Sequence, residues 1–406
     1  MDKLFHISER GSRVRTKVIG GTVTFLSIGY ILALQPSMMS AAGMPPAAVF
    51  TATAISAALA TVVMAFIANV PIALASGLGI NAFVAFTLCG ALGYSYQTAL
   101  TAVLLEGIIF VILSLTGIRE AIIDALSPNI KKAVGVGIGL FVALIGLANA
   151  KIVVTGGGTF IGLGNVKSGP PLLAVIGLLI TIILYARKVK GAVFIGIIAA
   201  TLIGIPLGVT VLPDGFSPVG IPAAPLWLPF DFGTIASLDF LVVVISMFCI
   251  DCFDTIGTAL AVCTQAGITD NKEVKMSRIL LSDAIGTVIG SVFGATTVTS
   301  YIESASGCAE GAKTGFASLI TGGLFLLALV FSPLFLLVPA AATAPALIFV
   351  GFLMIQQIIG IDFKDPTEGI PAFIALLIIP MSYSISEGIA WGVLSYTLVK
   401  TGTGRL

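Results

Sequence analysis

Pro71-Ile-Ala-Leu-Ala-Ser-Gly77-Leu-Gly79-Ile-Asn81 lies inside a long apolar run, yet it carries a proline, two glycines and an amide. Such residues interrupt a helix. A second stretch, Thr296-Thr-Val-Thr-Ser-Tyr-Ile-Glu303-Ser-Ala-Ser-Gly307, is polar and β-prone before it turns helical. Each predicts a short β-like segment followed by a half-helix. Non-helical backbone at membrane depth persists only where protein or a wet cavity satisfies its polar groups.

The rest of the chain makes the bilayer its solvent. Of 406 residues, 57% are hydrophobic and 10% charged, and the mean hydropathy is +1.13. Soluble domains carry about 25% charged residues. Nineteen acids and twenty bases nearly cancel, so no global field points to nucleic acid. Apolar runs fall near 17–35, 46–68, 71–90, 96–117, 129–149, 170–187, 191–210, 236–264, 276–293, 295–311, 313–337, 341–360, 369–383 and 385–401. They predict an all-α polytopic membrane protein of about 14 transmembrane spans, with the two interrupted segments as broken spans 3 and 10. If the N-terminus is cytoplasmic, only Lys151 and Lys167 of the twenty bases lie outside. That asymmetry obeys the positive-inside rule and puts the C-terminus in the cytoplasm too. The expected location is a plasma membrane, bacterial and inner.

The two halves repeat. Tyr30–Gly43 aligns without gaps on Asp254–Gly267, and each following span leads into a broken segment. Seven spans per repeat is an odd number, so the second half must be inverted: 7+7 inverted repeats. Inverted repeats with paired broken helices are a feature of secondary transporters.

Most acids lie in loops; Glu106, Asp251, Asp254, Asp283 and Glu303 do not. A carboxylate at mid-membrane costs roughly 2.5–3.5 kcal/mol on insertion scales. No base lies within the spans to pair with these acids. They must be protonated, hydrogen-bonded or facing a wet cavity. Asp251 and Asp254, three residues apart, share one face of span 8. Glu303 sits at the start of a half-helix, where N–H groups and the dipole favour an acceptor. Asn81, in the matching broken segment, offers donors and acceptors suited to a base edge, or to a helix–helix hydrogen bond. Asp283 reads as a buried polar tie between helices, and Glu106 as structural or modulating. Ser300, Ser304, Thr255, Thr258 and Thr299 could satisfy backbone groups freed at the breaks. Cys249-Ile-Asp-Cys252 has CxxC spacing without a second ligand pair, so no metal or redox site is expected.

These residues resemble nucleobase–cation symporter family 2, and within it the AzgA-like hypoxanthine/guanine/adenine permeases. The resemblance rests on Ala68–Ala82, Asp251-Cys-Phe-Asp-Thr-Ile-Gly-Thr258, Ser282-Asp-Ala284 and Thr299–Gly307, with support from Gly137–Leu147 and Ala342–Ile348. It covers nearly the whole chain. It implies a core domain of residues 1–117 (spans 1–4) and 235–337 (spans 8–11), and a gate domain of residues 118–234 (spans 5–7) and 338–406 (spans 12–14). A base would bind between them. By the resemblance, Glu303, Asp254, Asp251 and Asn81 are expected substrate-binding residues, and the hydroxyls of Ser300 and Thr258 beside them are expected to join them. Asp251, Asp254 and Glu303 are the expected proton-coupling residues. The chain departs from the uracil-type pattern at Thr258, where those permeases carry a histidine. A homodimer is implied by the resemblance alone.

The expected function is therefore proton-coupled uptake of purine nucleobases by alternating access. The proton is the coupling ion and no cofactor is expected. A uracil, xanthine or small-anion carrier of the same fold is the alternative. A membrane-embedded enzyme finds no support, because the spans hold no histidine, metal cluster or activated serine.

Overall fold

The computed structural model describes Phe5 and residues 13–116, 127–155, 161–167, 169–233, 235–268 and 276–404. The first expected span is divided. Helix α1 (Val14–Ile28) gives way at Gly29-Tyr30 to α2 (Ile31–Met39), which holds Pro36. α3 (Pro46–Ile67) starts on a proline, whose fixed φ suits a first turn. The chain then extends as β1 (Leu74–Ser76), coils into the short α4 (Leu78–Ala82) and widens into a π-helical stretch, Phe83–Ala91. α5 (Tyr96–Thr116), α6 (Pro128–Asn149), a small hairpin of β2 (Val153–Val154) and β3 (Gly162–Leu163), α7 (Gly169–Ala186) and α8 (Ala192–Gly204) complete the first half.

The second half opens with α9 (Leu238–Gln265), 28 residues long and capped by Ser237, which accepts from Phe240 N–H. α10 (Met276–Phe293), β4 (Val298–Ser300) and α11 (Ser304–Ala309) follow. α12 (Gly315–Ala328) runs through a 3-10 turn into α13 (Ser332–Leu336). α14 (Ala340–Ile355) ends in another 3-10 turn, Gln356–Gly360, before α15 (Pro366–Ser382) and α16 (Ile385–Gly402). Helical residues occupy each of the fourteen expected runs. Among the described residues, eight helical segments are long and apolar enough to cross a membrane by length and composition. The hairpin of β2 and β3 has no counterpart in the sequence expectation.

The two broken segments meet. β1 and β4 pair antiparallel, with Leu74 opposite Ser300 and Ser76 opposite Val298. Ribbon bonds continue past the strands, from Gly77 N–H to Thr297 O and from Tyr301 N–H to Ala73 O. A two-stranded ribbon has two bare edges, which lipid depth does not tolerate. Side chains of neighbouring helices satisfy them. Thr61 of α3 accepts from Leu74 N–H at 2.9 Å and donates to Leu74 O at 3.1 Å. Thr287 of α10 treats Val298 in the same way, at 3.2 and 3.0 Å. Ser304 accepts from Ala73 N–H, and Ser318 lies within bonding distance of Val70 O and Ile72 O.

Glycines let the helices around the ribbon approach closely. A Cβ on Gly21 would sit 2.4 Å from Ala317 O, bringing α1 onto α12. One on Gly351 would sit 2.5 Å from Gly139 O, bringing α14 onto α6. Small residues at such crossings are how helices associate without water to drive them together. α3 packs on α10 and α12, and α6 on α14 and α15. The expectation that no base enters the packed spans is corrected at Lys17. This side chain is fully buried at the start of α1, and its ammonium donates to Gly311 O at 3.3 Å. Gly311 follows the C-terminal end of α11, where carbonyls welcome a cation.

Candidate functional site

The half-helices diverge from the ribbon and leave a cavity of about 70 Å³ beside it. Tyr30, Asp254, Thr258, Ser300 and Glu303 line one wall, together with the backbone turn at Leu78-Gly79. Val350, Leu353, Met354 and Gln357, from α14 and its 3-10 extension, line the other. Glu303 is the residue before α11, as the sequence anticipates. Its Oε1 accepts a hydrogen bond of 2.7 Å from the phenol of Tyr30. Tyr30 itself is fully buried at the break between α1 and α2. A charge-assisted bond of this kind orients a carboxylate strongly.

Asp254 of α9 and Glu303 before α11 come from different elements of the second half and face one space. Asp251 does not join them. Two residues three apart on a helix diverge by about 60°, and here that angle separates the acids. Asp251 is fully buried behind the cavity wall, where the Thr255 hydroxyl lies 3.2 Å from its Oδ1 and 3.0 Å from Oδ2 of Asp283. Asp283 also lies 3.5 Å from the Ser300 hydroxyl. The tie between helices expected of Asp283 is present, and Asp251 is its partner through Thr255.

Asn81 also lies behind the cavity, fully buried. Its Oδ1 accepts from the Thr296 hydroxyl, which in turn accepts from Gln35 Nε2 at 2.9 Å. Its amide nitrogen lies 3.5 Å from Ser76 O, which accepts a 2.6 Å bond from the Tyr301 hydroxyl. Asn81 thus braces the ribbon to α2. Glu106 on α5 accepts from the Thr297 hydroxyl at 2.7 Å, the structural role expected of it. Of the six expected binding residues, Glu303, Asp254, Ser300 and Thr258 line the cavity; Asp251 and Asn81 form the layer beneath. Tyr30 and Gln357 carried no signal in the sequence.

A larger cavity of about 610 Å³ adjoins the first and shares Ile302, Glu303 and Leu353 with it. Lys188, Lys190, Tyr185 and Ser306 border it. Lys190, in the turn before α8, pairs with Glu310, the C-cap of α11.

Two acids on one cavity, beside the paired strands of the broken segments, form the candidate site. A profile of the Permease family (Xan_ur_permease) matches residues 15–391. The chain belongs to the Permease family. Members similar to it include the guanine/hypoxanthine permease PbuG of Bacillus subtilis, 42% identical over 419 residues that cover 100% of this chain and 95% of PbuG. The adenine permease AdeP of Escherichia coli is 37% identical over 415 residues, 100% of this chain and 92% of AdeP. Among solved structures, the transmembrane domain of a cyanobacterium bicarbonate transporter, BicA, superposes with a TM-score of 0.69 at 15% identity, over 93% of this chain and 97% of that one. That likeness shows a shared fold. This permease is a multi-pass membrane protein and a transporter rather than an enzyme.

Proposed function

We propose that this permease takes up purine nucleobases by alternating access, driven by protons. The observation that carries the reading is the pair Asp254 and Glu303, facing one cavity whose lining includes no Lys or Arg among the described residues. Ionised carboxylates accept hydrogen bonds, and protonated ones also donate, so such a pair suits the mixed N–H and C=O edge of a purine. The relatives named for guanine/hypoxanthine and for adenine support the same substrate class. Ser300 and Thr258 supply hydroxyls at the base. Asp251 and Asn81 support the wall from behind, and Asp251 shares proton coupling with Asp254 and Glu303.

In this reading fourteen spans form two inverted repeats of seven. α1–α5 and α9–α13 make a core that holds the ribbon and the acids; α6–α8 and α14–α16 make the gate. The matching roles of Thr61 and Thr287 support the repeat, because each follows the same logic in its own half. Loading the acids with proton and base removes charge from the cavity, which lets the core slide past the gate. The wide cavity bordered by Lys188 and Lys190 is the inward exit, since those bases belong to the face assigned to the cytoplasm. Both termini lie on that face, and the membrane is a plasma membrane. A homodimer accords with the resemblance. A small-anion carrier is the second reading, favoured by the shared fold with BicA. Two acids with no facing cation count against it.

The test is uptake of radiolabelled hypoxanthine, guanine, adenine, xanthine and uracil into proteoliposomes, with and without an inward proton gradient. Accumulation of purines that grows with the gradient is expected. Purine uptake no greater than in empty liposomes would overturn the reading, as would a Glu303→Gln protein with wild-type affinity and rate.

A further inference from the structure

We infer that Gln357 reads the far edge of the bound base and sets which purines the permease prefers. The inference rests on the purine site proposed above and adds a contact from the opposite wall. On the acid side of the cavity, polar groups are plentiful: Asp254, Glu303, Ser300 and Thr258. On the other side, Val350, Leu353 and Met354 are apolar, and Gln357 supplies the polar group. A purine is a flat plate with nitrogen atoms around its whole rim. A base held by the acids along one edge turns other ring nitrogens toward Gln357. Left without a partner, a desolvated ring nitrogen or N–H weakens binding.

This side chain is exposed and borders the cavity. Gln357 sits in the 3-10 turn that extends α14, and its carboxamide lies over Gly135 of α6. A Cβ on Gly135 would come within 2.7 Å of Gln357 Oε1 and 3.3 Å of Cδ, so an alanine there would push the amide from its present place. One turn along each helix, Gly139 receives Met354 equally closely, at 2.6 Å. The seam therefore seats Met354 at the cavity, with Gln357 one turn further on beside it. Among the described residues the Gln357 amide makes no hydrogen bond, so both its donor and its acceptor are available to a ligand. An amide that can present either group suits a site that meets ring N–H and ring N alike.

The test uses the purified full-length permease and competition binding against radiolabelled hypoxanthine. The competitors are hypoxanthine itself and analogues in which single ring nitrogens are replaced by C–H. Wild-type protein that fails to bind hypoxanthine would defeat the purine reading and leave the present question without a basis. With binding established, Gln357→Leu should weaken hypoxanthine about five- to ten-fold. It should cause no further loss for the analogue that already lacks the nitrogen read by Gln357. Gly135→Ala, which displaces the amide without removing it, should show the same analogue pattern. The inference is overturned if Gln357→Leu leaves every competitor within two-fold of wild type, or weakens all of them by one common factor.

Discussion

Tyr30 donates its phenolic O–H to Glu303 Oε1 at 2.7 Å, and so ties the break between α1 and α2 to the half-helix α11. The bond fixes one carboxylate oxygen and leaves the other for a ligand. Tyr30→Phe keeps the ring and its packing while freeing the carboxylate to rotate. Affinity for hypoxanthine should fall about ten-fold, measured by equilibrium binding, with little change in thermal stability. Unchanged affinity would mean that the orientation of Glu303 does not limit binding.

Thr61→Val and Thr287→Val each remove a hydroxyl that satisfies both backbone groups of one ribbon residue. The freed groups of Leu74 or Val298 lie where water does not compensate. Each variant should lose about 1–3 kcal/mol of stability, read as a lower melting temperature in detergent. The relative affinities for different purines should stay as in wild type, because neither threonine lines the cavity.

Gly351→Ala should destabilise by about 1–3 kcal/mol through overpacking, since its Cβ would meet Gly139 O at 2.5 Å. Gly323→Ala is the matched control. Nothing lies within 4 Å of its Cβ position, so this helical site should tolerate or gain from alanine. Equal melting temperatures for the two variants would contradict the close α6–α14 crossing.

Thr255→Val removes the hydroxyl between Asp251 and Asp283. If Asp251 takes part in coupling, the variant should still exchange labelled for unlabelled purine across the membrane. Its accumulation against a gradient should fall several-fold when an inward proton gradient is imposed. Counterflow and gradient-driven uptake in the same liposomes separate the two. Full accumulation would confine coupling to Asp254 and Glu303.

Much of this arrangement was legible in the sequence, and the residues that were not share a physical reason. Pro71, Gly77 and Gly79 announce the first break because they oppose helix in any context, and Thr296–Ser300 announce the second by β-propensity. Asp254 and Glu303 stand out because a carboxylate in lipid demands an explanation. Tyr30, Gln35 and Gln357 carry no such mark. A tyrosine or glutamine in an apolar helix is ordinary until something is found to face it, and what faces Tyr30 is 273 residues away. The split between Asp251 and Asp254 was hidden for a subtler reason. Spacing of three gives a common side of the helix, but α10 packs against that side and divides it. Lys17 shows the converse error: its position at a span end suggested contact with water, whereas the end of α11 covers it.

The ribbon also bears on how the molecule keeps to itself. An open pair of strands ordinarily recruits a third, from a neighbour or from its own unfolded copies. A barrel escapes this by curling until its first strand meets its last. Here the strands are too few to curl, and two threonine hydroxyls stand in for the missing neighbours. The chain can therefore afford extended backbone in mid-membrane without offering a template for aggregation.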